Sequence, residues 1–240
     1  MKRRRKGIEE KLAAIEESNN HANEKNGNGS IKAIMFDLGN VVVPYRINEA
    51  MRTFYRVFRL KKIKKDDMKD ILASEKSERL RLMREYEKGM ERKDFFKEIG
   101  KRYRVPFSQR IGKMAERATY TFFKPIDAEM ESMIRHLRKD YSLAVLSNII
   151  KPHREYVLKR YPVQELFDYL FFSCDIGMRK PDTKIYNFAL EKMNIKPNEA
   201  LFIDDYRKNV DAAGSLGINS IHFTSAAELK ERLNNLNIPV

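Results

Sequence analysis

Short apolar runs that stop abruptly at a polar residue recur along the chain, and they predict strands buried on both faces of a sheet. The first run, residues 31–36, ends at Asp37. Later runs of the same character cover residues 142–146, 169–172, 200–203 and 220–223. Apolar residues recur at helical spacing over residues 126–137, 185–193 and 209–216. Gly217 stands where the last of these helices should be capped. Strands that alternate with helices predict an α/β fold, a Rossmann-like parallel sheet sandwiched by helices.

Residues 46–124, between the first two runs, show helical rather than strand periodicity. Amphipathic helices are predicted over residues 48–60, 66–90 and 93–104. A connection of this length exceeds an ordinary crossover loop, so an inserted helical cap subdomain is predicted there. The α/β core then comprises residues 31–45 and 125–240.

Residues 1–30 form a basic and polar N-terminal extension. Residues 18–30 are mostly Asn, Gly, Ser, Lys and Glu, which bury too little apolar surface to offset the entropy of ordering. The extension is therefore predicted to be disordered. Charged residues 9–11 follow the basic hexamer 1–6, where a secretion signal would have an apolar stretch. We expect no signal peptide.

Composition narrows the class of protein. The 240 residues are 42% hydrophobic and 34% charged, which is typical of a globular protein and excludes wholesale disorder. There is no apolar window of about 18 residues, so a transmembrane helix is not expected. Cys174 is the one cysteine, which excludes an internal disulfide and a multi-thiolate metal site. A cytoplasmic location is expected.

The net charge of +14 is concentrated in the predicted cap. Residues 46–124 hold 24 basic and 12 acidic side chains, which accounts for +12 of the total. Such a surface could steer anions towards the protein, and a solvated helical surface explains the same charge equally well.

Polar residues that follow the predicted strands suggest a site. Asp37, Ser147 with Asn148, and Asp204 with Asp205 end the first, second and fourth strands. In an open parallel sheet these ends meet at the edge where ligands bind. Lys180 precedes Pro181, and proline at a first helical position would place the lysine at a helix start. Each residue alone has an ordinary structural explanation, such as capping a turn. Together, clustered acids need a cation, and a phosphoryl group near them needs Mg²⁺ and a lysine.

At these residues the chain resembles the haloacid dehalogenase superfamily of hydrolases over about residues 31–225. The motifs that carry the resemblance are Phe36-Asp37-Leu38-Gly39-Asn40-Val41, Leu146-Ser147-Asn148, Gly177-Met178-Arg179-Lys180-Pro181-Asp182, and Phe202-Ile203-Asp204-Asp205 with Asn209. The helical insertion resembles that superfamily's first-position cap, and Tyr86-Glu87-Lys88-Gly89 resembles an element found in such caps. The first motif is similar to that of a bacterial hexose-1-phosphate phosphatase-like group.

The resemblance implies a role for each motif residue. Asp37 would be the nucleophile that forms an aspartyl-phosphate. The implied Mg²⁺ ligands are Asp37, the Gly39 main-chain carbonyl, Asp205 and, through water, Asp204. Ser147 would hydrogen-bond a phosphoryl oxygen, Asn148 would help to orient it, and Lys180 would neutralise charge as the transition state forms. Asn209 would orient the acidic loop from behind.

Gly39 departs from the pattern that the resemblance implies. Most phosphatases of this superfamily carry there an aspartate that serves as general acid and base, and glycine has no side-chain proton to donate. Loss of such a group typically lowers rate by about 10²–10⁴. A reactive leaving group, such as an anomeric or acyl phosphate, would compensate.

The sequence leaves three functions open. The leading prediction is a Mg²⁺-dependent phosphatase whose partner is a small phosphorylated metabolite, with neither a membrane nor nucleic acid as partner, in a monomer or homodimer. A 2-haloacid dehalogenase, in which Asp37 attacks carbon, needs no general acid, so Gly39 fits it, but the acid pair Asp204 and Asp205 fits it poorly. The third is a catalytically silent protein whose basic cap binds nucleic acid or a protein.

Overall fold

A computed structural model describes residues 30–46, 49–50, 53, 78–103 and 108–240. The predicted N-terminal extension lies outside the described residues, except for Ser30. So do most of the helix predicted over 48–60 and the first half of that predicted over 66–90.

In the described part of the chain, five parallel strands form one sheet in the order β3-β2-β1-β4-β5. The strands are β1 Ala33–Phe36, β2 Ser142–Ser147, β3 Tyr169–Phe172, β4 Ala200–Asp204 and β5 Asn219–His222. Ala33 pairs with Ser142 on one side and with Ala200 on the other, so the first strand of the chain is the centre of the sheet. Its four residues are all buried. The predicted α/β fold is confirmed.

Helices cover both faces of this sheet. The helices outside the insertion are α4 Ala128–Leu137, α5 Lys151–Arg160, α6 Val163–Leu166, α7 Ser173–Ile176, α8 Thr183–Met193, α9 Arg207–Gly214 and α10 Ala226–Asn235, and a 3₁₀ turn covers Pro197–Glu199. Side chains of α4, α5, α6 and α10 pack on one face, and those of α8 and α9 pack on the other. No helix in the described part of the chain has the length and apolar character needed to cross a bilayer.

Three helices of the insertion are described: α1 Glu78–Glu87, α2 Arg92–Tyr103 and α3 Gln109–Tyr120. They share an apolar cluster of Tyr86, Phe95, Phe96, Ile99 and Ala115, which Ile150 of the core joins. The periodicity did not predict α3. Its Gly112 lies against the Phe96 ring, where an added Cβ would come within 2.7 Å, and Ala115 joins the cluster, so small residues of α3 contribute to this contact. The division into core and cap stays a prediction.

Two chain segments join the insertion to the sheet, and they pair with each other. Tyr45 and Phe123 form an antiparallel bridge, and Lys124 N donates to the Pro44 carbonyl at 2.9 Å. The His153 ring of α5 lies 5.5 Å from the Tyr45 ring and 5.2 Å from the Phe123 ring. Both connections therefore rest on the same core helix.

The prediction that Pro181 begins a helix is wrong. Helix α8 begins at Thr183, and Asp182 is its N-cap, whose carboxylate accepts from Lys184 N. The peptide bond between Lys180 and Pro181 is cis. Lys180 consequently lies in the loop before the helix, because Asp182 caps the helix more effectively than the proline starts it.

Candidate active site

Three neighbouring strands bring the predicted site residues to one edge of the sheet. Asp37 directly follows β1, Ser147 ends β2 and Asp204 ends β4. Asp37 N donates to the Ile203 carbonyl at 2.8 Å, so the sheet pairing continues to the first polar residue. Ser147 and Asp204 are buried, and Asp37 is nearly so.

Lys180 joins two of the acids. Its side chain is 1% exposed, and Nζ lies 2.8 Å from Asp37 Oδ1 and 2.6 Å from Asp204 Oδ2. Burial by itself would lower the pKa of the ammonium, but the two carboxylates outweigh it and raise that pKa above its usual range. Lys180 is therefore charged, and it offsets part of the negative charge of the cluster.

The position of Lys180 is fixed by Asn148. The Asn148 amide donates to the Lys180 carbonyl at 2.9 Å, and its oxygen accepts from Lys180 N at 2.8 Å. Both polar groups of this side chain thus bind the main chain of the lysine. The prediction that Asn148 orients a phosphoryl group stays a prediction, and the structure adds a contact that sequence reasoning missed.

Besides Lys180, two groups hold Asp204. Asn209 Nδ2 lies 3.1 and 3.0 Å from its two oxygens, and Tyr206 N donates to Oδ1 at 2.7 Å. The Tyr186 hydroxyl in turn donates to the Asn209 carbonyl at 2.9 Å. Asn209 therefore contacts Asp204 from behind the acidic loop, and its role in orienting that loop for catalysis stays a prediction. No sequence signal pointed to Tyr186, whose hydroxyl reaches this loop from α8.

Asp37, Asp204 and Asp205 could hold a metal ion together. Each offers a carboxylate oxygen, and these oxygens lie within 4.8 Å of one another. Asn40 Nδ2 donates to Asp205 Oδ2 at 3.3 Å, from a backbone with φ of 59°. Asparagine tolerates this left-handed conformation better than most residues, which is the signal that could have singled out Asn40 in the first motif.

The pKa values of two of the acids are raised, chiefly because these acids are buried. Burial raises the pKa of Asp37 to about 7, with Lys180 lowering it and Asp204 raising it. Burial, followed by Asp204, also raises the pKa of Asp205. A single ammonium among three carboxylates leaves the site short of positive charge. Hard oxygen donors in this arrangement suit Mg²⁺.

Gly39 lies at the same edge with open space beside it. A Cβ built there would meet nothing within 4 Å, and its backbone is outside the left-handed region that favours glycine. Neither crowding nor backbone strain therefore requires glycine at this position.

Comparison with known proteins agrees with this geometry. A family model described as haloacid dehalogenase-like hydrolase matches residues 31–217. The chain is 28% identical over 199 residues to a sesquiterpene phosphatase of Aspergillus oryzae, covering 82% of this chain and 92% of that protein. It is 26% identical over 212 residues to a D-ribitol-5-phosphate phosphatase of Bacteroides thetaiotaomicron, covering 85% and 97%. Three other curated relatives are longer, and the match spans 22%, 11% and 13% of their lengths.

A solved structure has the same fold. The chain matches a haloacid dehalogenase family enzyme from Bacteroides thetaiotaomicron in its magnesium complex, with a TM-score of 0.68 and 25% identity. The match covers 86% of this chain and 99% of that one.

Proposed function

The chain belongs to the haloacid dehalogenase-like hydrolase family, and from this premise we propose that it is a Mg²⁺-dependent phosphatase of small phosphorylated metabolites, acting in the cytoplasm. One observation carries the proposal. Lys180 Nζ bridges Asp37 and Asp204, beside a third carboxylate from Asp205. A lysine and a cation-binding acid cluster around a candidate nucleophile are what phosphoryl transfer requires.

Asp37 is the nucleophile in this proposal. Its carboxylate attacks phosphorus, the P–O bond to the leaving group breaks, and water then hydrolyses the aspartyl-phosphate to restore the carboxylate. Only the ionised form attacks. The Lys180 ammonium, 2.8 Å away, favours that form and offsets charge on the phosphoryl oxygens.

The cluster of three acids fits Mg²⁺. Asp37, Asp205 and the Gly39 main-chain carbonyl would hold the ion, with Asp204 acting through water. When bound, the ion supplies Lewis-acid stabilisation of the phosphoryl oxygens. Asn209 holds Asp204 and Asn40 holds Asp205, so neither carboxylate has to be ordered at the moment of binding. Ser147, at the end of β2, is proposed to donate to a phosphoryl oxygen.

The substrate class is proposed from the relatives as well as the site. Two relatives are phosphatases named for a sesquiterpene and for D-ribitol 5-phosphate. With glycine at position 39, substrates whose leaving oxygen is acidic are favoured, because no carboxyl group there protonates it.

The dehalogenase alternative fits the site less well. Attack on carbon needs no metal, whereas Asn40, Asn209 and the Tyr206 amide all serve to hold Asp204 and Asp205 in place. In a protein that binds no cation, grouping these acids would only add repulsion between the carboxylates.

The test is turnover of p-nitrophenyl phosphate and of a panel of phosphorylated metabolites, with and without Mg²⁺. We expect hydrolysis only with the metal. Asp205→Asn should raise the Mg²⁺ concentration needed for half-maximal rate by about tenfold or more, with partial rescue at high Mg²⁺. Metal-independent release of halide from 2-haloacids, with no phosphatase activity, would contradict the proposal.

A further inference from the structure

Residues 86–89, the end of α1 and the turn that follows it (called the turn below), contact the core beside the candidate catalytic lysine. The turn is anchored within the insertion by Tyr86, which stacks on Phe95 at 4.1 Å between ring centroids and whose hydroxyl bonds the buried Glu116. Arg92 pairs with the same carboxylate at 2.8 Å. The turn is therefore rigid with respect to the helices that carry it.

Glu87 makes two separate contacts with the core. Its carboxylate accepts from Arg179 Nε at 2.9 Å, and its main-chain carbonyl accepts from Ser173 Oγ at 2.6 Å. Gly89 follows with φ of 98°, and a Cβ there would lie 2.6 Å from the Cys174 carbonyl. A side chain at this position would clash with core backbone, so the glycine allows the close approach.

Each contact leads to a different loop of the site. Arg179 directly precedes Lys180 in the chain. Ser173 Oγ also accepts from Ile149 N at 2.9 Å, and Ile149 directly follows Ser147 and Asn148. The two loops meet again where Asn148 bonds the Lys180 main chain.

Ser173 is fully buried, and its single hydroxyl proton has two acceptors within reach. The Glu87 carbonyl is at 2.6 Å, and the Ile149 carbonyl is at 3.3 Å. When the turn leaves the core, the proton can rotate to Ile149, so no buried donor is left unpaired. The serine hydroxyl therefore has an acceptor with or without Glu87, whereas contact with the turn restrains both loops.

We propose that Glu87 is a positioning residue, which fixes the loops bearing Lys180 and Ser147–Asn148 through Arg179 and Ser173 when the turn contacts the core. The inference rests on the proposed function, because it assigns Glu87 to the same site. Glu87 itself touches neither the acids nor the lysine ammonium. Its loss should therefore lower the rate of the chemical step more than substrate affinity.

The experiment measures kcat and KM for p-nitrophenyl phosphate with Mg²⁺ in the full chain. We expect Glu87→Ala to lower kcat about tenfold with KM changed less than about threefold. Glu87→Gln keeps an acceptor for Arg179 Nε and should recover most of the loss. Arg179→Gln should resemble Glu87→Ala, and the double variant should be no worse than either single variant, since both break one interaction.

The single cysteine gives a readout that does not depend on activity. Cys174 is half-buried beside Gly89, so release of the turn should raise its rate of alkylation by N-ethylmaleimide in Glu87→Ala by about threefold or more. Glu85→Ala is the matched control. It removes the same charge from the same helix and breaks a partly exposed pair with Lys88, and both readouts should stay at wild-type values.

Equal kcat in the wild type and the folded Glu87→Ala variant would overturn the inference, even if Tm falls, because a merely structural role lowers Tm alone. An equal loss in Glu85→Ala would overturn it too. If Glu87→Ala does not fold, Arg179→Gln decides by the same criterion. Failure of the proposed function would appear differently, as no turnover by the wild type, and the alkylation rates would still test the contact.

Discussion

At Asp37, substitution by asparagine removes the negative charge of the side chain and keeps its shape. Asp37→Asn keeps the side chain's size and can still bond Lys180, but the amide cannot attack phosphorus. We expect turnover to fall by at least about 10⁴-fold with the fold retained, since in the proposed mechanism the carboxylate forms the covalent intermediate. Steady-state assays with Mg²⁺ measure the loss of turnover, and far-UV circular dichroism checks that the fold is retained. Measurable activity with ordinary metal dependence would contradict the assignment.

Gly39 allows a gain-of-function test at the residue scale. Because neither space nor φ forbids a side chain there, Gly39→Asp should fold. In the wild type, rate should depend steeply on leaving-group pKa, and a burst of product should precede steady turnover with a good leaving group. The variant should flatten that dependence, raising the rate on primary-alcohol phosphates by up to about 10²-fold, and reduce the burst.

Gly39→Ala is the control for this test, because it adds a Cβ without a proton donor. If the wild type shows neither leaving-group dependence nor a burst, another residue supplies the acid, and the glycine has no catalytic consequence.

Sequence reasoning located this site because strand ends in a parallel sheet share one edge. Asp37, Ser147 and Asp204 could be placed there from their positions after apolar runs. The partners of Lys180 could not be foreseen in detail: Asp37 is 143 positions away, and Asn148 reaches the lysine through main-chain atoms. Such contacts depend on three-dimensional packing that no local pattern encodes.

At the scale of elements, pairing and capping corrected the predicted boundaries. Strands β2 and β4 include the polar residues predicted to follow them, because Ser147 pairs with Phe172 and Asp204 with His222. Helix α10 was not predicted, although Ser225 followed by Glu228 is a capping pattern and the serine does accept from Glu228 N. Helix α5 was not predicted either. Its buried residues are Pro152 and Val157, which are too few to show a helical period in the sequence.

His153 on α5 should make the free energy of unfolding depend on pH. Burial lowers the pKa of His153 from 6.5 to about 4. Thr119 Oγ1 donates to the Glu116 carbonyl at 2.5 Å, so it accepts from Nε2 of the neutral ring at 2.7 Å. Between pH 6.5 and 4 the unfolded chain binds this proton and the folded chain does not. The stabilisation is complete above pH 6.5 and is lost as pH falls towards 4.

We expect His153→Gln to remove on the order of 1–3 kcal/mol from the change in unfolding free energy between pH 7 and 4. The pKa of Asp37 is raised to about 7, so its titration lowers stability as pH rises over much of this window. This contribution is present in both the wild type and His153→Gln, so the difference between their curves isolates His153. Urea unfolding in EDTA at several pH values gives the curves. His136→Gln on α4 is the control, because that ring is exposed. Parallel curves for His153→Gln and the wild type would show that burial does not perturb His153.

Over the whole molecule, the positive charge of the insertion predicts a salt effect on substrate capture. Lys93, Lys97, Lys113 and Arg117 are exposed on α2 and α3. Changing all four to Gln should raise KM for an anionic substrate by about threefold at low salt and by much less at 0.5 M salt, where the Debye length is only a few ångströms. The matching change of Lys139, Lys159, Lys184 and Lys230, exposed on the core, should have less effect.

A KM that is independent of salt in all three proteins would identify the basic surface of the insertion as solvated charge without a steering role. It would leave the chemistry at Asp37 and Lys180 untouched, because both lie within the cluster and not on the surface.

The central place of β1 has a consequence for how the protein is made. Its two neighbours contain Ser142 and Ala200, so the strand that carries Asp37 leaves the ribosome well before either one. At ordinary rates of synthesis the wait for β4 is about 10–30 s. Until β4 emerges, β1 has at least one open edge and Asp37 has no Asp204 beside it. The candidate active site is therefore completed late in translation. A nascent chain that is released before β4 has no partial hydrolase activity and is a substrate for chaperones and proteases.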